Sequence, residues 1–251
     1  MTIIPELHPR YKSLMTRDKL VDCIEAGITS QQGLIAHGRG EAFDYLIGEQ
    51  TLKSARRATE VAAAMLLTAN KPVLSVNGNV AALVAKDMIE LSELLNAPLE
   101  VNIFYRTEER ARKIKALLEK QGAKNVLGNT LDAKIPGIKH ARAMVDREGI
   151  YSADVVLAPL EDGDRCEALI NMGKKVITID LNPLSRTSKT ATVSIVDDIA
   201  RAMKNLVSMV KEKKNSKIDL AAFLVGYDNN ALLKAVIEEI VVRLKDEDLR
   251  V

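Results

Sequence analysis

Apolar positions change their period about a quarter of the way along the chain. Over residues 9 to 69 the spacing is helical: Pro9 to Ala26 carries Leu14, Leu20, Val21 and Ile24 and stops before Gly27. Gln31 to Leu46 and the alanine-rich Thr51 to Leu67 continue the pattern. From Lys71 short β-branched runs alternate with longer amphipathic stretches. Pro72–Val76, Leu99–Phe104, Asn125–Leu127, Asp154–Leu157, Lys175–Asp180 and Thr192–Val196 read as strands. Val80–Leu95, Thr107–Gln121, Ile138–Glu148, Asp164–Met172 and Asp198–Lys213 read as the helices between them. After a lysine-rich stretch, Ala221–Val225 reads as a last strand and Asn230–Leu244 as a last helix.

Strands separated by helices of that length imply parallel pairing, because parallel neighbours need crossover connections. The expected fold is α/β: a Rossmann-like, mostly parallel sheet with helices on both faces, preceded by an N-terminal helical segment. The expected divisions are residues 1–69 for the helical segment, 70–215 for the nucleotide-binding core and 216–251 for a strand-helix unit packed on that core. Together they form one compact domain. In such sheets ligands bind beyond the C-terminal ends of the strands, so the residues after each run are the ones to inspect.

The 251 residues are enough to bury a sizeable core, with 47% hydrophobic and 28% charged residues. A formal net charge of +2 argues against disorder and against a basic nucleic-acid surface, and 3% aromatics without tryptophan argue against base-stacking platforms. Cys23 and Cys166 stand far apart, which signals neither a disulfide framework nor zinc. No run approaches the roughly 18 apolar residues of a membrane span. These readings lead us to expect a soluble, cytoplasmic protein with no nucleic-acid or membrane partner.

Candidate chemistry begins at Leu34–Glu49, an apolar run interrupted by His37-Gly38-Arg39-Gly40 and followed by Glu41 and Asp44. Glycines permit close backbone approach, and an arginine fork matches phosphate or carboxylate oxygens. The same residues also read as a turn with one solvated arginine. Ser75–Asn79 with Val80 forms a tight turn feeding a helix, suited to a phosphate or to a plain Asn cap. Neither GxGxxG nor GxxxxGK[ST] occurs, which disfavours a standard nicotinamide site or Walker loop. Thr107 with Glu109 and Arg110 reads as capping and surface pairing, leaving Arg106 as the functional candidate there. Glu161, Asp162 and Asp164 around Gly163 suit either Mg²⁺ with its waters or an acidic helix start. Asp180-Leu181-Asn182 followed by Arg186-Thr187 can read a nucleoside and clasp phosphate, with Asp197-Asp198-Ile199 as the opposite wall or another helix start.

As an ordered set, HPRYKSL, GLIAHGRGEAFDYLIGE, SVNGN, EVNIFYRTEER, GIYSADVVLAPLEDGDR and IDLNPLSRTS resemble the archaeal phosphopantothenate synthetase family, also called 4-phosphopantoate–β-alanine ligase. The resemblance covers roughly residues 5 to 205 and loosens beyond, with Lys204 where many relatives carry proline. It implies a homodimeric ATP-dependent ligase of coenzyme A biosynthesis that joins 4-phosphopantoate to β-alanine and releases AMP and diphosphate. ATP is then a substrate, with Mg²⁺ carried mainly through the triphosphate and no dedicated protein metal site. Family ATP contacts fall on Arg17, Arg39, Asp180, Leu181, Asn182, Arg186, Thr187, Asp198 and Ile199. His37, Arg39, Asn77 and Asn79 are the expected catalytic group, the last two and His37 near phosphopantoate and His37 handling the amine proton. His37 also reads as a structural histidine. Two other classes stand beside the ligase: a nucleotide-dependent oxidoreductase, which hydride transfer would reveal, and a non-catalytic nucleotide-binding module, which would bind without turnover.

Overall fold

The computed structural model describes residues 4–8 and 10–246. The expected helix start at Pro9 lies outside them. Three helices come first: α1 (Tyr11–Glu25), α2 (Gln31–Leu46) and α3 (Lys53–Thr68). Then follow β1 (Pro72–Val76), α4 (Gly78–Leu95), β2 (Leu99–Val101), α5 (Glu108–Lys120) and β3 (Val126–Leu127). A small hairpin, β4 (Ala133–Lys134) and β5 (Met144–Val145), precedes β6 (Val155–Leu157), α6 (Gly163–Asn171), β7 (Lys175–Ile179), α7 (Arg186–Thr190) and β8 (Val193–Ile195). The chain ends in α8 (Ile199–Lys214), α9 (Ala221–Leu224) and α10 (Asn229–Asp246).

The main sheet has six strands, all pairings parallel, in the order β3-β2-β1-β6-β7-β8. Counting only its own strands, this is the 3-2-1-4-5-6 order of a Rossmann sheet, whose direction of winding reverses between β1 and β6. The strands read as continuous apolar runs because both faces are covered. Leu74, Val76, Leu99, Val101, Leu157, Ile177 and Val193 face the larger core with α3, α4, α5 and α8, whereas Val73, Val156 and Val176 face a second core with α6 and the small hairpin. Ser75, Glu100, Thr178 and Ser194 alternate onto that second face and are buried. Leu233 and Val236 of α10 pack with Ala55 and Val196 in a third cluster.

Three expected elements are different. Ile138–Glu148 is not a helix. Its middle is a single 3₁₀ turn at Ala141–Ala143, then β5, then a wide turn at Arg147–Tyr151. Long-range partners take the backbone away from a helix: Asn102 Nδ2 donates to the carbonyls of Arg142 and Met144 at 3.2 Å each. The Asp146 carboxylate accepts from the N–H groups of Gly128 (2.8 Å) and Leu131 (2.7 Å). Such contacts override a propensity worth tenths of a kcal/mol per residue. Ala221–Val225 forms the short helix α9 rather than a strand. The edge N–H of Ser194 on β8 is met instead by the side chain of Asn229 at 2.9 Å. The second strand ends at Val101, three residues early, since Asn102 leaves the ladder after donating its N–H to Val76 O at 3.0 Å.

Candidate active site

The C-terminal ends of the strands open into one cavity of about 600 Å³, roofed by α2. At the point where the winding reverses, Asn77 caps α4 by accepting from the Val80 N–H at 3.0 Å. Its Nδ2 reaches across to the carbonyls of Pro159 (3.0 Å) and Leu160 (3.1 Å) beyond β6. Leu160 and Tyr105, both in the cavity wall, hold positive φ (52° and 49°), which costs a residue with a side chain about 1–3 kcal/mol. Asn79 donates to Gly33 O at 2.8 Å and accepts from the Thr29 hydroxyl, joining the first turn of α4 to that of α2. Gly33 allows this approach: a Cβ there would lie 2.7 Å from Thr29 Oγ1.

The HGRG segment lies inside α2, so its N–H groups sit within the helix and do not form the phosphate cradle that an apolar run broken by glycines suggested. Nor is the run buried; Ile35 is 65% exposed and α2 has no buried residue. The helix acts as a roof held by ion pairs at its sides. Glu41 accepts from Arg17 on α1 at 2.9 Å, and Asp44 pairs with Arg201 on α8, which also grips Asp197 at 2.7 Å. Burial pushes the Glu41 carboxyl up, but hydrogen bonds from Arg17 and Ser13 and the nearby cations outweigh it and bring it down to about 2.

His37, Arg39, Asn77, Asn79, Asp180, Leu181, Asn182, Arg186, Thr187, Asp198 and Ile199 all line the cavity. Arg17 does not line it; it stands behind the roof on Glu41. Burial holds the His37 imidazole below its ordinary pKa, a pull that Asp198 and Glu41 only partly offset, so the ring is neutral at pH 7. Asp180 accepts from Asn182 N (2.9 Å) and from the Ser185 hydroxyl, which folds the loop after β7; burial raises its carboxyl. Asp198 caps α8 through the N–H groups of Ala200 (3.0 Å) and Arg201 (3.3 Å). Arg106 turns from the cavity to Gly128 O at 2.8 Å.

Each carboxylate of the acidic loop meets an arginine. Arg186 pairs with Asp164 and Glu167, and Arg142 bonds Asp162 (2.5 Å) and Glu161 (2.8 Å) while holding Asn102 Oδ1 at 2.9 Å. Glu161 also pairs with Arg165, and the side chains of Glu161, Arg165 and Arg142 are 1%, 0% and 4% exposed. Burial pushes Glu161 up, but the two guanidinium charges win and hold its carboxyl below the ordinary range. The loop is therefore an ion-paired wall. Among the described residues, no group of three or more His, Cys, Asp or Glu is placed to hold a metal ion. Arg142 and Arg110 are cavity residues that sequence reasoning missed. Arg142 sat within the misread helix, and Arg110 looked like surface pairing on α5.

Comparison with known sequences decides the family. The profile described as phosphopantothenate/pantothenate synthetase matches residues 54–243. This chain belongs to that family. It is 53% identical over 246 residues to the 4-phosphopantoate–β-alanine ligase of Thermococcus kodakarensis (97% of this chain, 94% of that one). It is also 53% identical to the ligase of the same name from Methanosarcina mazei (98% and 97%), and 55% identical over 216 residues to that of Methanospirillum hungatei (86% and 88%). No helix among the described residues is long and apolar enough to cross a membrane.

Proposed function

We propose that this family member is an ATP-dependent ligase that condenses 4-phosphopantoate with β-alanine to 4′-phosphopantothenate, AMP and diphosphate. The observation that carries this reading is one cavity at the sheet's reversal point. It gathers a histidine whose pKa burial lowers, two arginines lacking any carboxylate partner among the described residues, and the polar loop after β7. A carboxylate is a poor acyl donor until its oxygen becomes part of a good leaving group. A phosphopantoate carboxylate oxygen attacks the α-phosphorus of ATP, the bond to the β-phosphate oxygen breaks and diphosphate leaves. The neutral amine of β-alanine then attacks the carbonyl carbon, the C–O bond to AMP breaks, and the amine loses a proton.

Each residue has a role in that sequence. Asp180, Leu181 and Asn182 hold the adenosine, while Arg186, Thr187, Asp198 and Ile199 border its phosphates. Arg39 clasps the triphosphate with a bidentate fork, which stabilises the departing diphosphate. His37 takes the amine proton, for which a neutral imidazole is required. The amides of Asn77 and Asn79 are engaged with backbone and Thr29, so they shape the floor rather than donate freely to substrate. Mg²⁺ arrives on the triphosphate, as part of the substrate. We further propose a cytoplasmic homodimer. Purified protein with ATP, 4-phosphopantoate and β-alanine, followed by mass spectrometry, should yield 4′-phosphopantothenate and AMP only when all three are present. ADP in place of AMP, or binding without product, would refute the reaction.

A further inference from the structure

Four arginines line the cavity, and they fall into two kinds. Arg142 and Arg186 are neutralised by carboxylates. Arg39 and Arg110 form no ion pair among the described residues. Arg39 belongs to the nucleotide side, since the next helix residue, Gly40, lies against Leu181, where a Cβ would be 3.7 Å from Leu181 Cδ1. Arg110 is on the other side of the reversal point, on the helix that follows β2. From β2 to β7 is three strand spacings, roughly 14 Å.

The Arg110 guanidinium is oriented without being neutralised. Nε donates to Ile28 O at 3.1 Å and Nη1 to Phe104 O at 2.8 Å, both backbone carbonyls. Nη2 makes no hydrogen bond among the described residues. The group lies against Gly78, where a Cβ would be 2.6 Å from Nη2 and 2.8 Å from Ile28 O, so glycine leaves room for it. Burial is the one influence on its pKa, with no carboxylate acting to offset it. A half-buried, fixed and uncompensated fork in a substrate cavity calls for an anion.

We propose that Arg110 binds the terminal phosphomonoester of the acyl substrate and is the residue that selects 4-phosphopantoate over unphosphorylated pantoate. This rests on the ligase reading. The substrate's carboxylate must meet the α-phosphate on the nucleotide side, so its other end points away from Asp180 and Arg39, toward the wall that carries Arg110. The family's description spans both phosphopantothenate and pantothenate synthetases, so the reading of this phosphate is the open choice within it.

The test measures kcat/KM for 4-phosphopantoate and for pantoate in the wild type, Arg110→Gln and Arg110→Lys, with affinity for each acid by calorimetry beside it. Arg110→Gln should lower kcat/KM for phosphopantoate by about 100-fold and leave that for pantoate and the KM for ATP within about threefold. Lysine should restore part of the loss, as a point charge without the fork. A melting curve for each Arg110 variant, beside the unchanged KM for ATP, guards against a folding defect from losing the Ile28 and Phe104 tethers. Equal losses with both acids, in turnover or affinity, would mean that Arg110 only holds two loops together and would overturn the proposal. So would preference for the phosphorylated acid surviving in Arg110→Gln. A wild type that ligates neither acid would instead refute the ligase reading itself.

Discussion

Replacing Glu161 by glutamine removes the one carboxylate that sits between two buried guanidinium groups. Arg165 is fully buried, and among the described residues its Nε and Nη2 have no hydrogen-bond partner, so the contacts of Nη1 with Glu161 and with Ser75 Oγ at 3.3 Å are the hydrogen bonds its side chain makes. Arg142 keeps Asp162 and Asn102. Breaking a buried pair by neutralising one member costs about 3–5 kcal/mol, because the surviving charge is left in a medium that solvates it poorly. For a chain of this size about 1 kcal/mol moves the thermal midpoint by roughly 2–4 °C, so Glu161→Gln should melt roughly 6–20 °C lower at pH 7. The sign with pH is fixed as well. Glu161's folded pKa lies below its unfolded one, so its stabilisation is fully present above about pH 4.5 and is lost as pH falls through the folded value. The gap between wild type and variant should therefore close in acid. Adding Arg165→Met should recover part of the loss, since an apolar side chain leaves no buried cation behind. Calorimetric melting of the three proteins from pH 3 to 7 reads all of this. A variant within about 2 °C of wild type at pH 7 would refute the claim that the acidic loop is a buried ion-pair network.

Three further outcomes follow from the cavity. Arg39→Lys keeps the charge but loses the fork, and kcat/KM should fall at least about tenfold with the melting point unchanged, because Arg39 is exposed and holds nothing else among the described residues. Asp180→Ala releases Asn182 and Ser185 and should raise the KM for ATP more than that for phosphopantoate; steady-state kinetics with each substrate varied decides it. Because burial lowers the His37 pKa below 6.5, the acid limb of the kcat/KM profile should fall below pH 6.5 and vanish in His37→Gln. A limb above pH 7 would assign it to another group.

Strand-helix alternation after Lys71 made the parallel sheet legible, because hydrophobic period is a local property that survives in a single chain. The strand-end rule then led to the loops that line the cavity. What sequence could not show was long-range satisfaction of polar groups. ARAMVDRE has a helical pattern, yet Asn102, far off in the chain, takes the carbonyls of Arg142 and Met144, while the segment's own Asp146 turns its side chain to the N–H groups of Gly128 and Leu131. The carboxylates of Glu161, Asp162 and Asp164 suit a metal equally well until Arg142, Arg165 and Arg186 are seen on them. HGRG looked like a cradle because glycine spacing says nothing of whether a neighbour stands close; Gly38 has none within 4 Å and Gly33, less conspicuous, touches Asn79 and Thr29.

The central claim is that this cavity activates an acid on the α-phosphate of ATP before an amine arrives. Isotope exchange between diphosphate and ATP measures that first half-reaction directly. With ATP and 4-phosphopantoate present and β-alanine left out, exchange should proceed, because the first step uses only those two and a roofed cavity shields the mixed anhydride from water. Without 4-phosphopantoate it should stop. Exchange that appears only when β-alanine is added would contradict a separate adenylate and, with it, this account of the site.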